Sequence, residues 1–190
     1  MDKASLHPDL EPIAAVASYK QIFDLLYTVA QVRYATFKQL HPLNHRVATK
    51  KNLDNLVSLD YLASVRLVKN TKSFHITEKT RQILEREGFN VNIIQKKFTG
   101  FTLEHALKIT DCLLNLQAKE NLYQVFYPTF AAPPDYSKEF LKPDACLIWK
   151  KDRAYKIEFL EVEEAKPNWA EYLLVKKDKY EQLASDPNIY

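Results

Sequence analysis

The fold of the second half of the chain is decided by the stretch PDACLIWKKDRAYKIEFLEVE (residues 143–163). Its two apolar runs are separated by charged residues, a pattern that predicts two strands joined by a tight turn. Pairing about that turn sets Asp144 opposite residues 159–161. Glu161 and Glu163 are two positions apart, so we expect their side chains on one face of the strand. The hairpin therefore predicts that three carboxylates meet at one edge of a sheet.

Three converging carboxylates repel one another unless a cation neutralises them. Oxygen ligands at this density suit Mg²⁺ or Mn²⁺, and such an ion can activate water against a phosphodiester. We therefore predict Asp144, Glu161 and Glu163 as metal ligands and as catalytic residues. The alternative is that they are ordinary polar residues at the ends of strands, where acidic side chains are common.

The helix predicted from Asn168 to about Ser185 carries a lysine in an unusual position. Its apolar stripe comprises Trp169, Tyr172, Leu173, Tyr180 and Leu183. Lys176 lies in the middle of that stripe, and a lysine directed at a sheet is uncommon. We predict Lys176 as a fourth catalytic residue, close to Glu161 if catalysis is retained. The alternative is a lysine whose stem carries the ammonium past the stripe into water.

Three further elements complete the second half. They are a helix over Leu103–Lys119 and strands over Leu122–Tyr127 and Ala145–Trp149, with a proline-rich loop (128–143) between the strands. With the strand Ala154–Glu163 and the last helix, the predicted order is helix, three strands, helix.

The first half shows a different order of elements. Helical spacing and cap residues predict a helix from Ser18 to Ala30, a short element at 35–40, and a third helix capped by Asn44 and running to Leu59. Two short strands (63–68 and 73–76) and a helix from Thr77 to Arg86, closed by Gly88, follow. This order is typical of a winged helix-turn-helix.

Cationic side chains mark the third helix and the hairpin of that unit. Arg46, Lys50, Lys51 and Asn55 fall mostly away from the apolar positions of the helix, where they can contact phosphates or base edges. Lys69 and Lys72 flank the turn of the hairpin. We predict that these six residues bind double-stranded DNA. The alternatives are a solvated charged face and a winged helix that contacts another protein.

Composition supports a cytoplasmic protein with a polyanionic partner. Residues 1–90 hold 13 Lys and Arg against 9 Asp and Glu, whereas residues 91–190 hold 14 against 15. No apolar run approaches the roughly 18 residues of a membrane span, and the N-terminus does not resemble a secretory signal. Cys112 and Cys146 lack metal-ligand spacing, so we expect buried free thiols in a reducing compartment. The 2 glycines exclude a glycine-rich phosphate loop.

These motifs together resemble a known family. The hairpin with Asp144 and Glu161, flanked by helices, is similar to the PD-(D/E)xK restriction-endonuclease-like fold. The whole of residues 18–185 resembles the replication-relaxation family of plasmid and conjugative-element proteins. Its landmarks here are the helix at Thr77–Gly88, the segment Leu103-Glu104-His105-Ala106-Leu107 through Asp111, the stretch Pro143-Asp144-Ala145 with Phe159–Glu163, and a helix carrying Lys176 and Tyr180.

The resemblance implies DNA binding and a role in plasmid replication, mobilisation or its control. Some relatives resemble conjugative relaxases built on the endonuclease fold. Glu163 stands where that fold has its signature lysine, and Lys176 is the best substitute by geometry. Glu104 is the candidate for an acid contributed by the preceding helix, whereas His105 is expected to be a packing or capping residue.

The sequence thus predicts an α+β protein: a winged helix-turn-helix domain (13–90), a connector (91–102) and a restriction-endonuclease-like αβββα domain (103–190). Because that fold usually has another strand after its last helix, we expect either that residues 188–190 are a stub of this strand or that the chain is a fragment of a longer protein. The favoured interpretation is a DNA-binding protein of a mobile genetic element. We expect no membrane partner, and a homodimer is one candidate assembly. The alternatives are a Mg²⁺- or Mn²⁺-dependent DNA nickase or relaxase and a winged-helix module that contacts another protein.

Overall fold

A computed structural model describes residues 18–67, 71–89, 91, 100–117, 122–127, 143–152, 154–162 and 168–185. In these ranges the chain is a mixed α+β protein with two three-stranded antiparallel sheets. The helices are α1 (Tyr19–Val32), α2 (Phe37–Leu40), α3 (Lys50–Ser58), α4 (Glu78–Arg86), α5 (Gly100–Gln117) and α6 (Trp169–Ser185). The strands are β1 (Ala35–Thr36), β2 (Leu62–Arg66), β3 (Lys72–Ile76), β4 (Leu122–Phe126), β5 (Ala145–Lys151) and β6 (Ala154–Leu160).

The helices of the first half begin where short polar side chains satisfy the backbone. Ser18 and Gln21 form a reciprocal capping box at α1, and Thr77 accepts from the third amide of α4. Gly88, at φ +84°, closes α4 because its backbone adopts the left-handed conformation at little cost. These three predictions are confirmed.

The predicted start of the third helix is wrong. Thr49, not Asn44, caps α3, and Asn44 instead accepts from the Val47 amide in the turn before it. Val47 and Ala48 are fully buried in that turn, so they contribute to the core without being helical. Arg46 consequently precedes α3 and does not lie on it.

The first sheet has the order β1-β3-β2, with β3 paired to both neighbours. The second has the order β4-β5-β6, and Ala145 pairs with Leu160 in its hairpin. Asp152, at φ 53°, makes the turn of that hairpin. The predicted pairing of residue 144 with 159–161 is confirmed. The predicted length of the last strand is wrong, because β6 ends at Leu160 and Glu161 follows it.

One hydrophobic core joins the two sheets. Residues from α1 and α3, such as Ile22 and Leu53, belong to the same buried cluster as Leu113 of α5 and Leu147 and Trp149 of β5. Hydrogen bonds reinforce this packing. The Thr110 hydroxyl donates to the carbonyl of Tyr34 at 2.5 Å, and the Tyr127 hydroxyl donates to that of Gln31 at 2.7 Å. The first half is therefore packed firmly against α5 and β4.

Helix α6 covers the second sheet less completely than its sequence predicts. Tyr172 and Leu173, assigned to the buried stripe, are substantially exposed, as are Leu174 and Val175. Tyr180 does pack inward, with its ring stacked on Phe159 at 4.9 Å. The prediction of a buried stripe is therefore wrong for Tyr172 and Leu173. Among the described residues, no helix combines the length and apolarity required to cross a membrane.

Candidate functional site

The hairpin of β5 and β6 brings two of the predicted carboxylates to one end of the second sheet. Asp144 immediately precedes β5 and its amide donates to the Leu160 carbonyl at 3.0 Å. Glu161 immediately follows β6, so it lies beside Asp144. The Asp144 carboxylate also accepts from the Val162 amide at 2.7 Å, which fixes its orientation. Glu163 lies outside the described residues.

Two side chains of α6 hold the Glu161 carboxylate. The Lys176 ammonium lies 2.8 Å from one oxygen, and the Tyr180 hydroxyl donates to the other at 2.6 Å. The Lys176 and Glu161 side chains are only 18% and 12% exposed. Lys176 also lies over the Tyr172 ring at 4.8 Å. Lys176 is thus directed at the carboxylate, as expected if the site is retained, and does not extend into water.

Helix α5 contributes His105, which the sequence predicted only as a packing or capping residue. His105 Nε2 lies 3.0 Å from Asp144 Oδ1, and both side chains are largely buried. Because a carboxylate only accepts, this contact places a proton on Nε2. Glu104, the predicted acid from this helix, is exposed instead. Glu104 and His105 are adjacent and both lie outside the apolar stripe of α5. Helical spacing therefore does not indicate which of them contacts the sheet.

We call Asp144, Glu161, His105, Lys176 and Tyr180 the carboxylate–lysine cluster. Each of its four carboxylate oxygens already accepts a hydrogen bond from a protein group. The Lys176 ammonium offsets the charge of the Glu161 carboxylate, and His105 donates to the Asp144 carboxylate. In the part of the chain that the structure describes, which omits Glu163, no three acidic, histidine or cysteine side chains are arranged to hold a metal ion. The described residues alone offer a divalent ion the two carboxylates of Asp144 and Glu161, each oxygen of which retains a second lone pair.

Burial disfavours the ionisation of one phenol and two thiols at this cluster. Desolvation, followed by the hydrogen bond to Glu161, raises the pKa of Tyr180 far above its ordinary value. Burial likewise raises the pKa of the Cys112 and Cys146 thiols. Both cysteines are free, and each is half-buried, not fully buried as predicted. Neither thiol has the lowered pKa of a nucleophile.

A second candidate site is a groove between α2, α3 and β3. We call it the basic groove; its volume is about 330 Å³, and its wall includes Lys38, Lys50 and Lys72. The Lys50 ammonium lies 5.6 Å from the centre of the Phe37 ring. Lys72 is held by Asp54 of α3 at 2.7 Å, an exposed pair that contributes little to stability but fixes where the ammonium lies.

Of the predicted DNA-binding residues, Lys50 and Lys72 line the basic groove. Arg46, Lys50 and Lys51 are exposed, whereas Asn55 is half-buried on α3. Lys69 lies outside the described residues. Lys38 was not predicted, because only the packing of α2 beside α3 brings it to the same groove. A positive charge in the short element 35–40 was the only signal in the sequence.

The molecule is thus an α+β protein whose first half carries the basic groove. That half packs against a second sheet, which carries the carboxylate–lysine cluster. Residues 25–189 match the model of the replication-relaxation family. The chain belongs to that family, which confirms the resemblance predicted from its motifs. A search of curated proteins and a search of solved structures return no significant match.

Proposed function

We propose that the chain is a DNA-binding protein of a mobile genetic element, and that its first half binds duplex DNA as a winged helix. Membership of the replication-relaxation family supports a role in replication or in a mobile element. The observation that carries the DNA-binding proposal is the basic groove. Three lysines, from α2, α3 and β3, line this groove, and Arg46 and Lys51 are exposed before and at the start of α3.

The order of elements supports the same proposal. A helix, a short strand, two helices and a two-stranded hairpin occur in sequence, and β1 completes the hairpin into a three-stranded sheet. In winged helices this order presents the third helix to a major groove and the hairpin to the adjacent backbone. Here α3 and β3 line one groove, so a DNA backbone that follows it meets Lys38, Lys50 and Lys72 together.

Titration of duplex DNA over a range of salt concentrations tests the proposal. The variant Lys50→Ala/Lys51→Ala should bind more weakly, and its salt slope should fall by about 0.9 for each phosphate that is no longer neutralised. The matched control is Lys20→Ala/Lys177→Ala, which removes two exposed lysines that do not line the basic groove. If the DNA affinity and the salt slope fall equally in both variants, α3 is not part of the DNA interface.

The alternative function is a Mg²⁺- or Mn²⁺-dependent DNA nickase or relaxase. The observation that favours it is the largely buried contact between Lys176 and Glu161, where a catalytic lysine is expected to approach the acidic residues. Asp144, Glu161 and Glu163 remain the proposed ligands of the ion. Each carboxylate oxygen that accepts from His105, Lys176 or Tyr180 retains a second lone pair with which to bind the ion.

Cleavage of supercoiled plasmid, measured with Mg²⁺, with Mn²⁺ and with a chelator, tests this alternative. Glu161→Gln should abolish metal-dependent nicking. Lys176→Ala should reduce its rate by about 10²–10³, the usual effect of removing an electrostatic partner of a transition state. DNA affinity should stay near the wild-type value in both variants, because the proposed interface lies on the basic groove. If the wild-type protein shows no metal-dependent nicking, the nickase alternative is wrong and only the DNA-binding proposal remains.

A further inference from the structure

Strand β6 forms one edge of the second sheet among the described residues. Its hydrogen-bonded neighbour there is β5, and the sheet order places no described strand on its other side. Three large apolar residues alternate along one of its faces, with Tyr155 57%, Ile157 61% and Phe159 46% exposed. An apolar edge strand with an open side is a template for pairing with another strand.

The charges of β6 select a particular partner. Lys156 and Glu158 project from the opposite face to Ile157, since side chains alternate along a strand. They contact each other across that face, and the Trp149 indole donates to Glu158 at 2.7 Å. The face therefore presents one positive and one negative charge, placed symmetrically on either side of residue 157.

We propose that β6 pairs antiparallel with β6 of a second copy of this chain, so that two sheets join into one of six strands. A two-fold axis perpendicular to the joined sheet places the same face of β6 on the same side of the sheet in both copies. Residues that lie opposite each other are then both odd-numbered or both even-numbered, and the axis passes through a single residue position. With the axis at residue 157, Lys156 of each copy lies opposite Glu158 of the other. Axes at 156 or 158 oppose like charges instead, which is destabilising.

The same register also matches the apolar face. Tyr155 of each copy lies opposite Phe159 of the other, and the two Ile157 side chains meet at the axis. Aromatic pairs of this kind stabilise antiparallel strands. One register therefore satisfies both faces, and this self-complementarity identifies a second copy as the occupant of the edge. The proposal goes beyond DNA binding and does not depend on it.

Charge reversal tests the register. Lys156→Glu and Glu158→Lys should each weaken self-association, because each places like charges at two symmetry-related positions and should raise the dimer Kd by about tenfold. An equimolar mixture of the two variants should associate again, since each variant supplies the charge that the other needs. Sedimentation velocity over a dilution series measures all four samples, including wild type. Native mass spectrometry shows whether the mixture contains mixed dimers.

Two controls separate the interface from the fold. Lys177→Glu reverses an exposed charge on α6 and should leave association unchanged. Near-ultraviolet circular dichroism verifies that each reversed variant retains its packed aromatic residues. A wild-type protein that stays monomeric throughout the series would overturn the proposal. Equal association of wild type and both variants, or two variants that fail to form mixed dimers, would overturn the register and with it the inference.

Discussion

The pair of Lys176 and Glu161 allows a quantitative test of the carboxylate–lysine cluster. Lys176→Met removes the ammonium but keeps most of the volume of the side chain. Glu161 is then a largely buried carboxylate held by Tyr180. Breaking a buried ion pair costs about 3–5 kcal/mol. Because both side chains keep some exposure, we expect a decrease of about 2–3 kcal/mol in the free energy of unfolding, measured by urea denaturation.

A double-mutant cycle isolates the interaction itself. Glu161→Gln/Lys176→Met should be more stable than the sum of the two single effects predicts, with a coupling energy of about 1–2 kcal/mol. The matched control lies on the same helix, where Lys177 and Glu181 form a pair at 3.4 Å with side chains 65% and 64% exposed. That pair should show a coupling below about 0.5 kcal/mol. Equal couplings in the two cycles would refute the assignment of a buried, structured pair.

Three further outcomes follow from the described contacts. Asp54→Asn should tighten binding of non-specific duplex at low salt, measured by fluorescence anisotropy, because it removes a negative charge from the basic groove and frees Lys72; unchanged affinity would contradict this. Leu113→Ala should lower the free energy of unfolding by about 2–5 kcal/mol in one cooperative transition, since Leu113 is fully buried in the core that joins both sheets; separate transitions in calorimetry would contradict a shared core. Burial, and for Tyr180 also the bond to Glu161, raises the pKa of Tyr127 and Tyr180 in the folded state. The unfolded chain ionises these groups near their ordinary pKa of 10.0, so stability is retained below that pH and decreases as the pH rises above it. Tyr127→Phe should make the melting temperature less sensitive to alkaline pH, and an unaltered dependence in that variant would argue against the assignment.

Local chemistry determined the elements that could be predicted. Two apolar runs defined β5 and β6, and the short turn between them indicated the pairing that sets Ala145 opposite Leu160 and so brings Asp144 beside Glu161. Ser18, Thr77 and Gly88 marked helix ends because cap residues act on amides and carbonyls within a few positions of themselves. These interactions span short stretches of chain, so the sequence contains all the information that they need.

The start of α3 could not be predicted from the local sequence. Asn44 and Thr49 are both suitable cap residues, and each accepts a hydrogen bond from an amide three positions on. What distinguishes them is the burial of Val47 and Ala48, which requires the chain to turn before the helix begins. That requirement comes from the core around them and has no local signature.

The candidate sites divide in the same way. The sequence by itself brought Asp144 and Glu161 together, because one hairpin carries both. It also indicated Lys176, because a lysine in an apolar stripe is unusual. Only the tertiary structure turned His105 toward Asp144, 39 positions away, and set Lys38 beside Lys50 and Lys72. Those contacts depend on how α5 packs against the second sheet and α2 against α3. Packing of that kind is decided by the shape of the whole core, which no short stretch of sequence specifies.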